Sequence, residues 1–199
     1  MTLAMPAQAL FVTEETSDRE ALKSEKQLQR CRELLARVDL FAELSDAEFE
    51  ELSHHMRYAP FGPGEVMTRQ GADAHWLYLI EDGEASVSVS DGGVEHKVAR
   101  LRAPAFFGEM SLLTGEQRSA TVIAIGEVEC FRLDKDALRR LLARRPELAA
   151  HLAQVLAERN AALMTVKEGL NAQTAKRQVE RQAVDFLARI RSFFALDRG

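Results

Sequence analysis

Phe106-Phe107-Gly108-Glu109-Met110-Ser111-Leu112-Leu113-Thr114-Gly115-Glu116-Gln117-Arg118-Ser119-Ala120-Thr121-Val122 is the stretch that decides how this chain is read. It starts and ends on strand-like residues, yet a helical turn interrupts it. Gly108 has no Cβ and lets backbone approach a bound group closely. The following Glu109-Met110-Ser111-Leu112-Leu113 can form one turn of helix, whose free N–H groups face an anion. Arg118 adds a fixed positive charge and a planar fork of donors suited to phosphate, and Ser119 adds a hydroxyl beside it. Glu109 would repel a phosphate, but a carboxylate accepts hydrogen bonds from sugar alcohols. An anion site with a sugar-binding acid describes a nucleotide. The chain has no GxxxxGK[ST] stretch, which argues against a triphosphate P-loop.

Upstream of this stretch, turn signals arrive at short intervals: Gly62-Pro63-Gly64, Gly71-Ala72-Asp73, Asp82-Gly83 and Asp91-Gly92-Gly93. Between them Leu77-Tyr78-Leu79-Ile80 is continuously apolar, while Ala85 to Ser90 alternates with period two. Residues 57–133 therefore predict a small β-barrel or sandwich, with residues 106–122 inserted in it. The predicted class is α+β: a small antiparallel, jelly-roll-like β-barrel flanked by N-terminal helices and C-terminal lid helices.

The flanks are read as helical. Residues 1–16 form a short strand or linker, with Ala9 to Val12 apolar. Over residues 17–56, Ser17 with Glu20 and Ser45 with Glu48 have capping-box spacing, and Leu28, Cys31, Leu34, Leu35 and Val38 share one helical face. Residues 134–168 give a hinge helix from Asp134 to Leu142, then a second helix after Pro146. That helix carries Leu148, Leu152, Val155, Leu156, Leu163 and Val166, with Arg159 on the same stripe, where an arginine needs a partner or a route to water. Gly169 reads as a helix stop. Residues 171–199 form an amphipathic helix whose apolar face, Val179, Ala183, Phe186, Leu187, Ile190 and Phe193, must pack on the domain or on another subunit. Its basic residues, including Lys176, Arg177, Arg181, Arg189 and Arg191, suit either acidic lipid headgroups or a solvated polar face, of which the solvated face is favoured.

Composition sets outer bounds. The chain has 199 residues, 46% of them hydrophobic and 29% charged, with a net charge of −5. That suits one soluble sensory domain with helical additions and argues against a general nucleic-acid binder. No apolar run approaches the ~20 residues of a membrane-spanning helix, and the opening residues do not read as a secretion signal. Cys31 and Cys130 lie far apart and read as reduced intracellular thiols, so a cytoplasmic location is expected. His54 and His55 are adjacent and cannot bind one metal as an i, i+4 pair would, and His75, His96 and His151 do not cluster. With no nucleophile elbow, kinase or metallohydrolase motif, neither a catalytic residue nor a metal ligand is expected.

The run from Phe107 to Leu113, followed by Arg118 to Val122, resembles the phosphate-binding cassette of cyclic-nucleotide-binding domains. These domains occur in catabolite activator protein, in the regulatory subunit of cyclic-AMP-dependent protein kinase and in nucleotide-gated channels. The similarity runs from about Asp39 to Arg159 and includes Gly71 and Gly83 at turn positions. It implies that Arg118 pairs with the cyclic phosphate, helped by the backbone N–H groups of Ser111 and Ser119. Glu109 and the Gly108 backbone would hold the ribose 2′-hydroxyl. Met110 and Ala120 complete the cassette, Val87, Val98 and Leu101 form the apolar wall, and Arg159 covers the base. The resemblance implies a ligand, cAMP with cGMP as a second candidate, and no cofactor.

The expected function is sensing without turnover. A helix-turn-helix regulator is disfavoured because the residues after Arg159 pattern as one long helix. A phosphodiesterase would need a metal or general base. Pro6 to Val12 resembles the last strand of the cytoplasmic cage of small-conductance mechanosensitive channels, and Ile190 to Phe194 resembles their tails. A channel pore domain is therefore the expected partner, with a homo-oligomer as a further expectation. A free-standing cytosolic regulator acting on a protein partner is the alternative.

Overall fold

The computed structural model describes residues 17–74, 76–168 and 172–196, with the side chains of 17–21, 23, 162–168 and 172–176 excluded. The expected strand within 1–16, the stop at Gly169 and the position of His75 lie outside the described residues. So do the side chains of Ser17, Glu20, Leu163, Val166 and Lys176.

Helix α1 (Ser17–Ala36) is followed by a 3₁₀ turn (Asp39–Phe41) and α2 (Asp46–His55). The Ser45–Glu48 capping box forms: the Glu48 carboxylate accepts from the Ser45 N–H at 2.8 Å and from its hydroxyl at 2.7 Å. Arg145 also reaches this carboxylate at 2.7 Å. Burial pushes the Glu48 carboxyl up, but the Ser45 N–H and hydroxyl together with Arg145 outweigh it and hold the pKa below its ordinary value.

Eight strands follow: β1 (Arg57–Tyr58), β2 (Val66–Thr68), β3 (Trp76–Asp82), β4 (Glu84–Asp91), β5 (Val94–Arg102), β6 (Ala105–Phe107), β7 (Thr121–Ala124) and β8 (Glu129–Asp134). They form two antiparallel four-stranded sheets, ordered β1-β8-β3-β6 and β2-β7-β4-β5. This is the expected α+β jelly roll, with its strands in two sheets rather than one closed barrel. Helix α3 (Glu109–Thr114) interrupts β6 and β7, as the sequence implies.

The unbroken apolar run in β3 has a simple cause. Tyr78 and Ile80 face an inter-sheet core shared with Met67, Phe107, Val122 and Cys130. Leu77 and Leu79 face the opposite way, into a helix-covered core with Leu34, Leu35, Leu112, Leu113 and Phe131. A strand buried on both faces has no solvent side on which to alternate. β4, in the outer sheet, alternates in sequence but not in burial: Ala85 and Ser88 are buried, Val87 and Val89 half-buried, and its ladder slips between Val87 and Ser88.

Helices α4 (Lys135–Arg144), α5 (Leu148–Glu168) and α6 (Ala172–Phe194) close the chain. Asp134 starts α4 by accepting the Ala137 N–H at 3.0 Å. The apolar face of α6 packs on its own domain: Phe186, Ile190 and Phe194 are buried in the same core as Leu112 and Leu113. No described helix is long and apolar enough to cross a membrane.

Candidate functional site

One cavity of about 290 Å³ opens between the outer sheet, the α3 segment and α5. It lies near the lower end of the range for small-molecule sites. All of the ligand-contact candidates line it: Val87, Val98, Leu101, Gly108, Glu109, Met110, Ser111, Arg118, Ser119, Ala120 and Arg159. Thr68, Val89, Ala99, Phe107 and Val122 complete the lining; sequence reasoning had Phe107 and Val122 within the cassette run without a ligand role, and missed Thr68, Val89 and Ala99.

Backbone geometry makes the cassette. Gly108 caps α3 in the left-handed region, with φ 86°. A Cβ here would lie 2.0 Å from Arg118 Nη1, so the position needs glycine for both its conformation and its space. The absent side chain lets Arg118 Nη1 donate to the Gly108 carbonyl at 2.7 Å. Arg118 Nη2 donates to the Trp76 carbonyl at 2.6 Å, which ties the cassette to the start of β3. The chain is locked a second time where Arg118 N–H bonds Ala72 O at 3.0 Å and Gly71 N–H bonds Arg118 O at 2.8 Å.

Arg118 is an unusual cation. Its exposure is 3%, and it forms no ion pair with a carboxylate among the described residues. Two neutral carbonyls hold its Nη atoms, while Nε is buried without a hydrogen-bond partner. Burial pulls its pKa below the ordinary arginine value, and Tyr78 and Glu109 pull the other way. A buried cation with an unsatisfied donor is costly unless something anionic completes it. Ser111, 1% exposed, lies in the first turn of α3, where backbone N–H groups have no helical acceptors. Taken together, the arrangement can neutralise and orient one small anion, while the half-buried Glu109 offers an acceptor next to it.

Arg159 is half-buried on α5 and lines the cavity. Its guanidinium stacks on the Phe106 ring, 3.8 Å from the centroid, and Nη2 donates to Phe106 O at 3.2 Å. The partner that an arginine on an apolar stripe needs is thus the residue two before Gly108.

The histidines play other parts. His54 pairs with Glu50 at 3.3 Å, and His151 pairs with Glu43 at 3.3 Å. No group of three or more His, Cys, Asp or Glu residues among those described could hold a metal ion.

Residues 59–145 match the family described as "Cyclic nucleotide-binding domain". The chain is 35% identical over 108 residues to a cAMP-dependent protein kinase regulatory subunit of Mucor circinelloides f. lusitanicus, covering 54% of this chain and 25% of that protein. It is 29% identical over 137 residues to the cyclic nucleotide-gated channel alpha-4 of Mus musculus, covering 66% of this chain and 24% of the channel. Among solved structures, the N-terminal domain of a transcriptional regulator from Streptomyces coelicolor A3(2) aligns with TM-score 0.55 and 30% identity, over 63% of this chain and 91% of that one. The match spans about a quarter of the length of these two curated relatives.

Proposed function

The chain belongs to the cyclic nucleotide-binding domain family, and on that premise we propose that it is a non-catalytic sensor that binds cAMP, and cGMP less tightly. The observation that carries this reading is Arg118: a buried guanidinium with an unsatisfied Nε, in the wall of a nucleotide-scale cavity. The cyclic phosphate supplies the missing acceptor and charge, helped by the N–H groups of Ser111 and Ser119. Glu109 and the Gly108 backbone take the ribose hydroxyl. Val87, Val98 and Leu101 pack against sugar and base, with Met110 and Ala120 filling the cassette side. Arg159 covers the base from α5.

Ligand binding favours a closed arrangement of the cassette and α5 over an open one, and this population shift is the output. No step in it breaks a covalent bond. Isothermal titration with cAMP and cGMP, followed by recovery of the nucleotide, tests the proposal. Unchanged nucleotide and measurable affinity support it; absence of binding to both overturns it.

We place the output in a membrane channel of the small-conductance mechanosensitive type, with this domain on the cytoplasmic side. The support is the similarity to a nucleotide-gated channel and the resemblance of Pro6 to Val12 and Ile190 to Phe194 noted above. The gene expressed whole should then fractionate with membranes, and cyclic nucleotide should change the current or the opening tension. A product found only in the soluble fraction would favour a free-standing regulator acting on a protein partner.

A further inference from the structure

Thr68 is a polar side chain where a regular strand would not place one. β2 is three residues long, and its central Met67 is buried in the inter-sheet core. Strict alternation would turn Thr68 away from that core. The ladder to β7 slips at this point: Val66 pairs with Ile123, but Thr68 pairs with Val122. β2 thus spends two steps where β7 spends one, which is a β-bulge, a device that re-aims side chains beside sites. Residues directly opposite in an antiparallel ladder share a face. Val122 is 3% exposed in the cavity wall, and Thr68 lines the same cavity.

A second bulge lies further along the same sheet, between β4 and β5. Val87 pairs with Ala99 and Ser88 with Lys97, leaving Val98 as the extra residue, and both Val98 and Ala99 line the cavity. The rest of the outer-sheet part of the cavity lining is apolar: Val87, Val89, Val98, Ala99, Leu101 and Val122. The other hydroxyls in the lining, Ser111 and Ser119, belong to the cassette. The Thr68 hydroxyl has no hydrogen-bond partner among the described residues. A lone hydroxyl in an apolar wall is useful to a ligand that presents a polar edge there.

Resting on the proposal that the cavity takes a cyclic nucleotide, the geometry points to Thr68 as a specificity-determining residue that hydrogen-bonds the edge of the base. The phosphate is engaged by Arg118 and the ribose by Glu109, so the base is the part of the ligand left to meet the outer sheet. Its ring nitrogens and exocyclic groups match a hydroxyl that both donates and accepts. Valine in place of Thr68 keeps the shape and the branched Cβ while removing the hydrogen bond.

The test titrates the unaltered chain, Thr68→Val and Thr68→Ser with cAMP, cGMP and ribose 3′,5′-cyclic phosphate without a base. Thr68→Val should lose roughly 3- to 10-fold in affinity for the better nucleotide, the size of one net neutral hydrogen bond. Thr68→Ser should restore most of that loss, and the base-free ligand should bind all three proteins alike. Equal losses for the base-free ligand would place the hydroxyl on the sugar or phosphate and overturn the assignment. Unchanged nucleotide affinity in Thr68→Val would overturn it too, while leaving cyclic-nucleotide binding intact. An unaltered chain that binds neither nucleotide would remove both readings at once.

Discussion

The ring of Phe193 occupies the space that a side chain at Gly115 would need: a Cβ there would sit 2.3 Å from Phe193 Cε2. Gly115 closes α3 in the left-handed region, with φ 77°, and its N–H bonds Ser111 O at 3.1 Å. Lys135 Nζ lies 3.2 Å from the centre of the same ring, and Arg189 pairs with Glu116 next door. The last turn of α6 is thereby seated on one end of the short helix whose other end, at Gly108, opens the cavity.

Gly115→Ala should destabilise the domain by about 1–3 kcal/mol, combining left-handed strain with displacement of the ring. In a double-mutant cycle with Phe193→Ala the two losses should not add, because removing the ring removes the clash. Urea unfolding of the four proteins measures this. Strictly additive losses would mean that α6 does not bear on α3 in solution.

Arg118→Ala should weaken cAMP by about 2–3 kcal/mol, or roughly 30- to 150-fold, because a charge-assisted phosphate contact is lost. Calorimetry on protein verified as folded reads the effect. Full affinity in that variant would move the phosphate elsewhere.

Arg159→Ala should weaken cAMP more than it weakens a ribose cyclic phosphate lacking the base. The Phe106 contact already holds this guanidinium at the cavity, so the cost is the base contact rather than ordering. Equal losses for both ligands would leave Arg159 as a packing residue of α5.

A competition titration should rank cAMP above cGMP with both measurable. The Ser119 hydroxyl can reach a guanine amino group, but serine lacks the methyl that restricts a threonine rotamer. Much tighter cGMP binding would reverse this ranking.

Burial pushes the thiols of Cys31 and Cys130 up to about 12 from an ordinary value of 9.0. Both are neutral in the folded chain over a range where the unfolded chain ionises. Stability from each thiol is therefore complete below pH 9.0 and is lost as pH rises towards about 12. Urea midpoints should fall between pH 8 and pH 10.5 by more in the unaltered chain than in Cys31→Ala/Cys130→Ala. Matching slopes would contradict the burial of these thiols.

The sequence alone carried the cassette, because the groups proposed to hold a phosphate and a sugar lie within one contiguous run from Gly108 to Ser119, where spacing and chemistry are read together. It also carried the elements: hairpin turns between alternating strands, the Ser45–Glu48 cap and the apolar face of α6 are local patterns. The tertiary structure decided what depends on distant backbone. Arg118 is completed by the Trp76 carbonyl, 42 residues away, and no side-chain pattern announces a carbonyl. Arg159 finds Phe106 across 53 residues. The choice of α6 to cover its own domain, with Phe193 on Gly115, was open in the sequence because an apolar helical face looks the same whichever surface it meets. Thr68, Val89 and Ala99 went unread for related reasons. Bulges shift Thr68 and Ala99 out of the period of two, and membership of a cavity wall depends on which strands become neighbours, which is settled by pairing across the sheets.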